Sequence, residues 1–187
     1  MSADGTPVLW HDPLLADGRY VYRVRRGDLP PGTATLEDAL DLLAGKVINV
    51  ELKADVPSRR ALARAAAAAV LRARRSHVVF SSFDPFLVLA CAALAPKVSR
   101  GILLGRRMER ASTALPLAMR TLVVAAHLED ALVTPERVAR LSRVGLRTCA
   151  WTVNDEARAV ALAASGVPWL ITDRPGPIVA AITPCRR

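Results

Sequence analysis

The chain has 187 residues, 52% of them apolar, and carries 26 Lys and Arg against 17 Asp and Glu for a net charge of +9. That length and apolar content suit one globular domain with a sizeable core and exclude disorder. No apolar run approaches the roughly 18 residues of a membrane span, and no charged-then-apolar leader opens the chain, so a soluble, cytoplasmic protein is expected.

In chain order, the first chemical feature is the pair His11-Asp12. Residues 14–33, with Pro30-Pro31-Gly32, read as a loop that covers a site. Thr35 with Asp38 resembles a capping box for a helix over 36–43. Residues 47–52 read as a strand ending in Glu51-Leu52-Lys53, where the period of two puts Glu51 and Lys53 on one face. Ser58 caps a predicted helix reaching about Arg75, with Leu62, Ala66, Ala69, Val70 and Ala73 on its apolar face. Further strands are predicted at 77–83, 100–104, 122–127, 147–153 and 169–172. Helices start at Asp84-Pro85, Thr134-Pro135 and Asn154-Asp155, and Gly145 and Gly166 stand where left-handed C-terminal caps belong.

Six strands alternating with helices across short loops imply a parallel sheet built from right-handed βα units. A doubly wound sheet and a closed barrel both satisfy that rhythm. A TIM-type (β/α) barrel is favoured, because polar residues recur at strand C-terminal ends: Glu51 and Lys53, Ser81 and Ser82, His127, Thr152 and Asn154, and Asp173. No glycine-rich phosphate loop follows a strand, which argues against a dinucleotide fold.

A carboxylate, an ammonium and an imidazole suit a metal and a phosphate, so Glu51, Lys53 and His11 are the candidate site residues. Trp151 is a candidate lining residue of a substrate pocket, although an aromatic in a buried strand also serves packing. His127 reads as a rim or structural residue, and Ser81, Ser82, Asn154 and Asp173 as loop and cap hydrogen-bonding groups. Cys91, Cys149 and Cys185 are odd in number and widely spaced, fitting neither a disulfide framework nor a zinc site, and the first two read as core. The arginine clusters at 23–26, 59–60, 72–75 and 106–107 read as solvated surface, so no nucleic-acid partner is expected.

The motifs Val8-Leu9-Trp10-His11-Asp12-Pro13, Glu51-Leu52-Lys53, Ser81-Ser82-Phe83-Asp84-Pro85, Trp151-Thr152-Val153-Asn154 and Ile171-Thr172-Asp173-Arg174-Pro175 follow one another as in the glycerophosphodiester phosphodiesterases. The chain resembles that family from about Asp4 to Pro175. The resemblance implies an eight-stranded (β/α) barrel that hydrolyses glycerophosphodiesters to glycerol 3-phosphate and an alcohol with Ca²⁺ or Mg²⁺. It assigns His11 to proton transfer, Glu51 to the metal and Lys53 to the phosphate, with a small-molecule diester as partner. The family pattern opens with a His-Arg-Gly strand and a Glu-x-Asp strand that have no counterpart here. The expectation is therefore a single barrel domain over 1–187, N-terminally truncated to about six strands, with a weakly bound cation and uncertain activity. An inactive relative that binds phosphate or a partner is the alternative.

Overall fold

The computed structural model describes residues 1–74, 77–111 and 114–183. Arg75 and Cys185 lie outside the described residues. Among those described, six strands alternate with helices: α1 Leu36–Leu42, β1 Ile48–Glu51, α2 Arg59–Ala73, β2 Val78–Ser82, α3 Pro85–Leu94, β3 Ser99–Leu104, α4 Ala114–Ala118, β4 Ala125–Glu129, α5 Pro135–Ser142, β5 Arg147–Trp151, α6 Glu156–Ala164, β6 Trp169–Leu170 and α7 Pro175–Ile182. Each predicted strand is present, most a residue or two shorter at an end and β4 shifted toward Glu129. Two helices, α4 and α7, are additional to those predicted, and α7 starts at Pro175 with no side-chain cap from Arg174.

The chain divides into two compact units, Met1–Arg100 and Gly101–Arg187. In the first, β1 pairs in parallel with β2, with Asn49 opposite Val79 and Glu51 opposite Ser81. Helix α2 starts where the Ser58 hydroxyl accepts the Ala61 N–H, satisfying an otherwise free donor. Its buried face is wider than predicted, because Ala63 and Ala67 join Leu62, Ala66, Ala69 and Val70. Alanine has little bulk, so α2 can lie close to Phe80, Leu87 and Cys91 in one core. The Thr35–Asp38 capping box is formed in both directions.

Ahead of α1, Leu15, Val21, Val24 and Leu29 make a second small core, on which Val8 and Trp10 pack. The segment is tied down by Ala3 N–H to Val24 O at 2.8 Å and by an Asp4 carboxylate that accepts the Arg26 N–H at 3.2 Å. Residues 14–33 are thus a packed loop with its own interior.

In the second unit, β3 pairs with β4, β4 with β5 and β5 with β6, all parallel. Gly145 and Gly166 adopt φ of 79° and 85°, as the C-terminal cap reading requires. The period of two places Ala125, His127 and Glu129 on one face of β4. His127 is 2% exposed, and neither ring nitrogen has a hydrogen-bond partner among the described residues. Burial pushes its pKa down to about 4, which keeps the ring neutral. The ring fits because Gly101 lacks a side chain; a Cβ there would lie 2.5 Å from His127 Nε2.

Candidate active site

The candidate site is built where β1 ends. Leu52 is buried, its N–H donates to Ser81 O at 2.8 Å, and its carbonyl accepts the Ser82 hydroxyl at 2.8 Å. This clamp keeps the strand's alternation running past Glu51. With Leu52 turned into the core, Glu51 and Lys53 emerge on the opposite face, where Lys53 Nζ lies 2.9 Å from Glu51 Oε1.

A cavity of about 450 Å³ lies over that face. Glu51, Lys53 and Asp55 line it from the β1 side, Trp10, His11, Asp12 and Pro13 from the N-terminal segment, and Val21 and Tyr22 from the packed loop. His11 Nδ1 is 2.9 Å from Asp12 Oδ1, and the His11 side chain is 90% exposed, so its ring is free to meet a ligand from solvent. The Trp10 indole N–H donates to Leu14 O at 3.2 Å, which fixes the ring between the small core and the cavity. The structure therefore brings His11, Glu51 and Lys53 to one cavity, with residues 14–33 contributing wall as the sequence suggested.

Trp151 ends β5 in the second unit. Its indole N–H donates to His127 O at 3.0 Å, fixing the ring at the strand end. Asn154 ties the ends of β5 and β6 together: its amide donates to Asp173 Oδ2 at 2.8 Å and its oxygen accepts the Asp173 N–H at 2.9 Å. Ser82 and Asp84 are structural as well. Asp84 caps α3 through the Phe86 N–H and sits 2.8 Å from Arg59 Nε, while its own N–H donates to Ser82 Oγ.

Two groups in the cavity wall escape a motif-based reading. Asp55 continues the alternation Glu51-x-Lys53-x-Asp55, a signal present in the sequence. Tyr22 is placed by the loop's tertiary packing, and its neighbour Arg23 lies over the Tyr20 and Tyr22 rings at 5.9 and 5.8 Å. Arg25, Arg59, Arg60, Arg72, Arg106 and Arg107 are exposed, and Arg26 half-buried. Cys91 and Cys149 are buried core residues, whose thiols burial pushes up to about 11 and about 12. Among the described residues no three His, Cys, Asp or Glu side chains are grouped as metal ligands, and no helix is long and apolar enough to cross a membrane.

The sequence pattern of the glycerophosphoryl diester phosphodiesterase family matches residues 24–177, most of the chain, with His11 and Asp12 ahead of the matched span. No curated protein matches the chain. Among solved structures, a protein of Silicibacter pomeroyi DSS-3 assigned to the glycerophosphoryl diester phosphodiesterases superposes with a TM-score of 0.86 at 26% identity, covering 99% of this chain and 81% of the other. An Oleispira antarctica phosphodiesterase, in complex with the product sn-glycerol-3-phosphate, gives 0.84 at 24% identity over 97% of this chain and 81% of its own. A glycerophosphodiester phosphodiesterase from Parabacteroides distasonis ATCC 8503 gives 0.84 at 20% identity, covering 100% and 82%. The fold class is the TIM-type (β/α) barrel, of which the described residues carry six strands. With its order of motifs, its strand-end site and a family match over most of its length, the chain belongs to the glycerophosphoryl diester phosphodiesterase family.

Proposed function

We propose that the chain acts on glycerophosphodiesters as a phosphoric diester hydrolase, releasing glycerol 3-phosphate and an alcohol. The observation that supports this is the meeting of His11, Glu51 and Lys53 on one cavity in a chain of this family. Product-bound Oleispira antarctica phosphodiesterase, of similar fold, fits the same reading. The whole of 1–187 is taken as one domain of this type.

The chemistry of the diester decides the roles. Attack on phosphorus gathers negative charge on the nonbridging oxygens, and an ammonium beside them stabilises that charge more in the transition state than in the ground state. Lys53 supplies the ammonium. Glu51, at 2.9 Å, orients the lysine at the cavity. His11 accepts the proton of the attacking hydroxyl, which the glycerol itself provides. The new P–O bond closes a cyclic phosphate as the bond to the alcohol breaks and the departing oxygen takes a proton from solvent; water then opens the ring, its proton passing to the glycerol oxygen that is released from phosphorus. Asp12 orients the imidazole through Nδ1. Trp151 serves as a candidate substrate-lining residue at the end of β5.

The divalent cation of the family is a poorer fit. Calcium takes six to eight oxygen ligands and magnesium six, whereas Glu51 is held by Lys53 and the described residues group no three ligating side chains. These side chains do not by themselves make a cation site. That favours a second reading, in which the chain binds the phosphate without turning it over.

The experiment that separates them is release of glycerol 3-phosphate from glycerophosphodiesters by the purified 187-residue chain, with added Mg²⁺ or Ca²⁺ and with chelator. Turnover that falls about 10²-fold or more in both His11→Ala and Lys53→Met supports hydrolysis at this cavity. No release under any condition, with saturable binding of glycerol 3-phosphate lost in Lys53→Met, supports the binding reading instead.

A further inference from the structure

Helix α3 presents an apolar face to solvent. From Pro85 to Leu94 it carries no polar side chain, whereas α2 turns Arg60 and Arg64 to solvent and α5 turns out Glu136 and Arg140. A helix that is apolar all round belongs in a core or a bilayer, and ten residues are too few to span one. Only one side of α3 is buried: Leu87 and Cys91 enter the core shared with α2, and Val88 is buried beside them. On the other side Phe86 is 71% and Leu89 48% exposed, with Ala93 and Leu94 exposed beyond them. Spacings of three and four put Phe86, Leu89 and Ala93 on one face, and Phe83, just ahead of the helix, is exposed as well.

The surroundings of that face are basic. Within residues 56–100 the single acidic side chain is Asp84, which is buried and engaged by the Phe86 N–H and by Arg59 Nε at 2.8 Å. Helix α2 packs beside α3. Its Arg60 and Arg64, and Lys97 just past the end of α3, are exposed and make no ion pair among the described residues. With an aromatic side chain taken as about 200 Å², the exposed parts of Phe83, Phe86, Leu89, Ala93 and Leu94 amount to roughly 400 Å². A second copy seated on this face alone would bury roughly 800 Å² in total, less than the roughly 1,200 Å² at which stable interfaces begin, and it would bring two basic rims together. A bilayer asks for no matching shape, takes apolar side chains below its headgroups and, when anionic, neutralises the rim.

We infer that the α2–α3 surface of the first unit docks on an anionic lipid bilayer, with Phe86 and Leu89 at the boundary of headgroups and acyl chains and Arg60, Arg64 and Lys97 against lipid phosphates. Two signals act together: a small apolar area gives marginal, reversible binding, and each cation held at an anionic surface strengthens it about fivefold. The surface is separate from the cavity at the end of β1, so its action does not depend on what that cavity binds.

The test is flotation of the purified 187-residue protein with vesicles of phosphatidylcholine alone and of phosphatidylcholine with about 30% phosphatidylglycerol. Association with the anionic vesicles is expected to be at least about tenfold stronger than with the neutral ones. It should weaken about tenfold or more in Arg60→Glu with Arg64→Glu, and likewise in Phe86→Ser with Leu89→Ser. All four side chains are exposed, so both pairs should keep the thermal transition of the unsubstituted protein. If Phe86→Ser with Leu89→Ser does not fold, Phe86→Trp decides: the emission it adds is expected to be quenched by brominated acyl chains. No association with anionic vesicles, association that either pair leaves unchanged, or added emission that brominated lipid does not quench overturns the inference. A dimer abolished by Phe86→Ser with Leu89→Ser, without vesicle binding, overturns it in favour of a second copy.

Discussion

His127 shows how a single buried residue sets a pH limit. Its folded pKa, about 4, lies below the ordinary 6.5, because the interior of the second unit disfavours the imidazolium. Between those values the unfolded chain binds a proton that the folded chain does not, so stability rises with pH across the window. The contribution is fully present above pH 6.5 and drains away as the pH falls toward 4. At about 1.4 kcal/mol per unit the loss approaches about 3 kcal/mol. Urea unfolding at pH 7, 6, 5 and 4 should show it, and His127→Leu should remove this part of the slope while leaving that of the carboxylates. An identical pH dependence in the variant would refute the assignment. The sequence offered His127 as a polar residue at a strand end, but burial is a property of the packed sheet, so its titration could not be read from the chain.

At the scale of elements, the devices that start helices were legible because they are local. Thr35 with Asp38, Ser58, Asp84, Thr134 and Asp155 each accept a backbone N–H within three residues, so a few neighbouring letters carry the whole signal. α7 has no such side-chain cap and starts instead at Pro175, whose missing N–H would be unpaired there in any case. The fit of β3 to β4 is likewise non-local. Gly101 reads as an ordinary strand glycine until the His127 ring is found beneath it. Gly101→Ala is therefore expected to destabilise the protein by about 1–3 kcal/mol through overpacking. Combined with His127→Ala, which clears the space, the substitution should cost less than the sum of the two single changes. Denaturant midpoints of the four proteins in that cycle measure the coupling, and strict additivity would show that the ring simply moves aside.

For the molecule as a whole, composition and cation chemistry make separate demands. The net charge of +9 resides largely in exposed arginines. With no group of three ligating side chains among the described residues, Mg²⁺ and Ca²⁺ are expected to bind the 187-residue chain weakly, with Kd above about 1 mM. Calorimetric titration with either ion checks this, and submillimolar binding lost in Glu51→Gln would establish a cation site that the described side chains do not predict.

The sequence by itself determined the alternation of strand and helix, the face shared by Glu51 and Lys53, and the family order of motifs. All of these depend on spacing along the chain. Only the tertiary structure decided that His11 reaches the same cavity as Glu51, that Trp10 and Tyr22 wall it, and that His127 lies beneath Gly101. Those are contacts between residues distant in sequence, set by how apolar faces close on one another, and no local pattern encodes them.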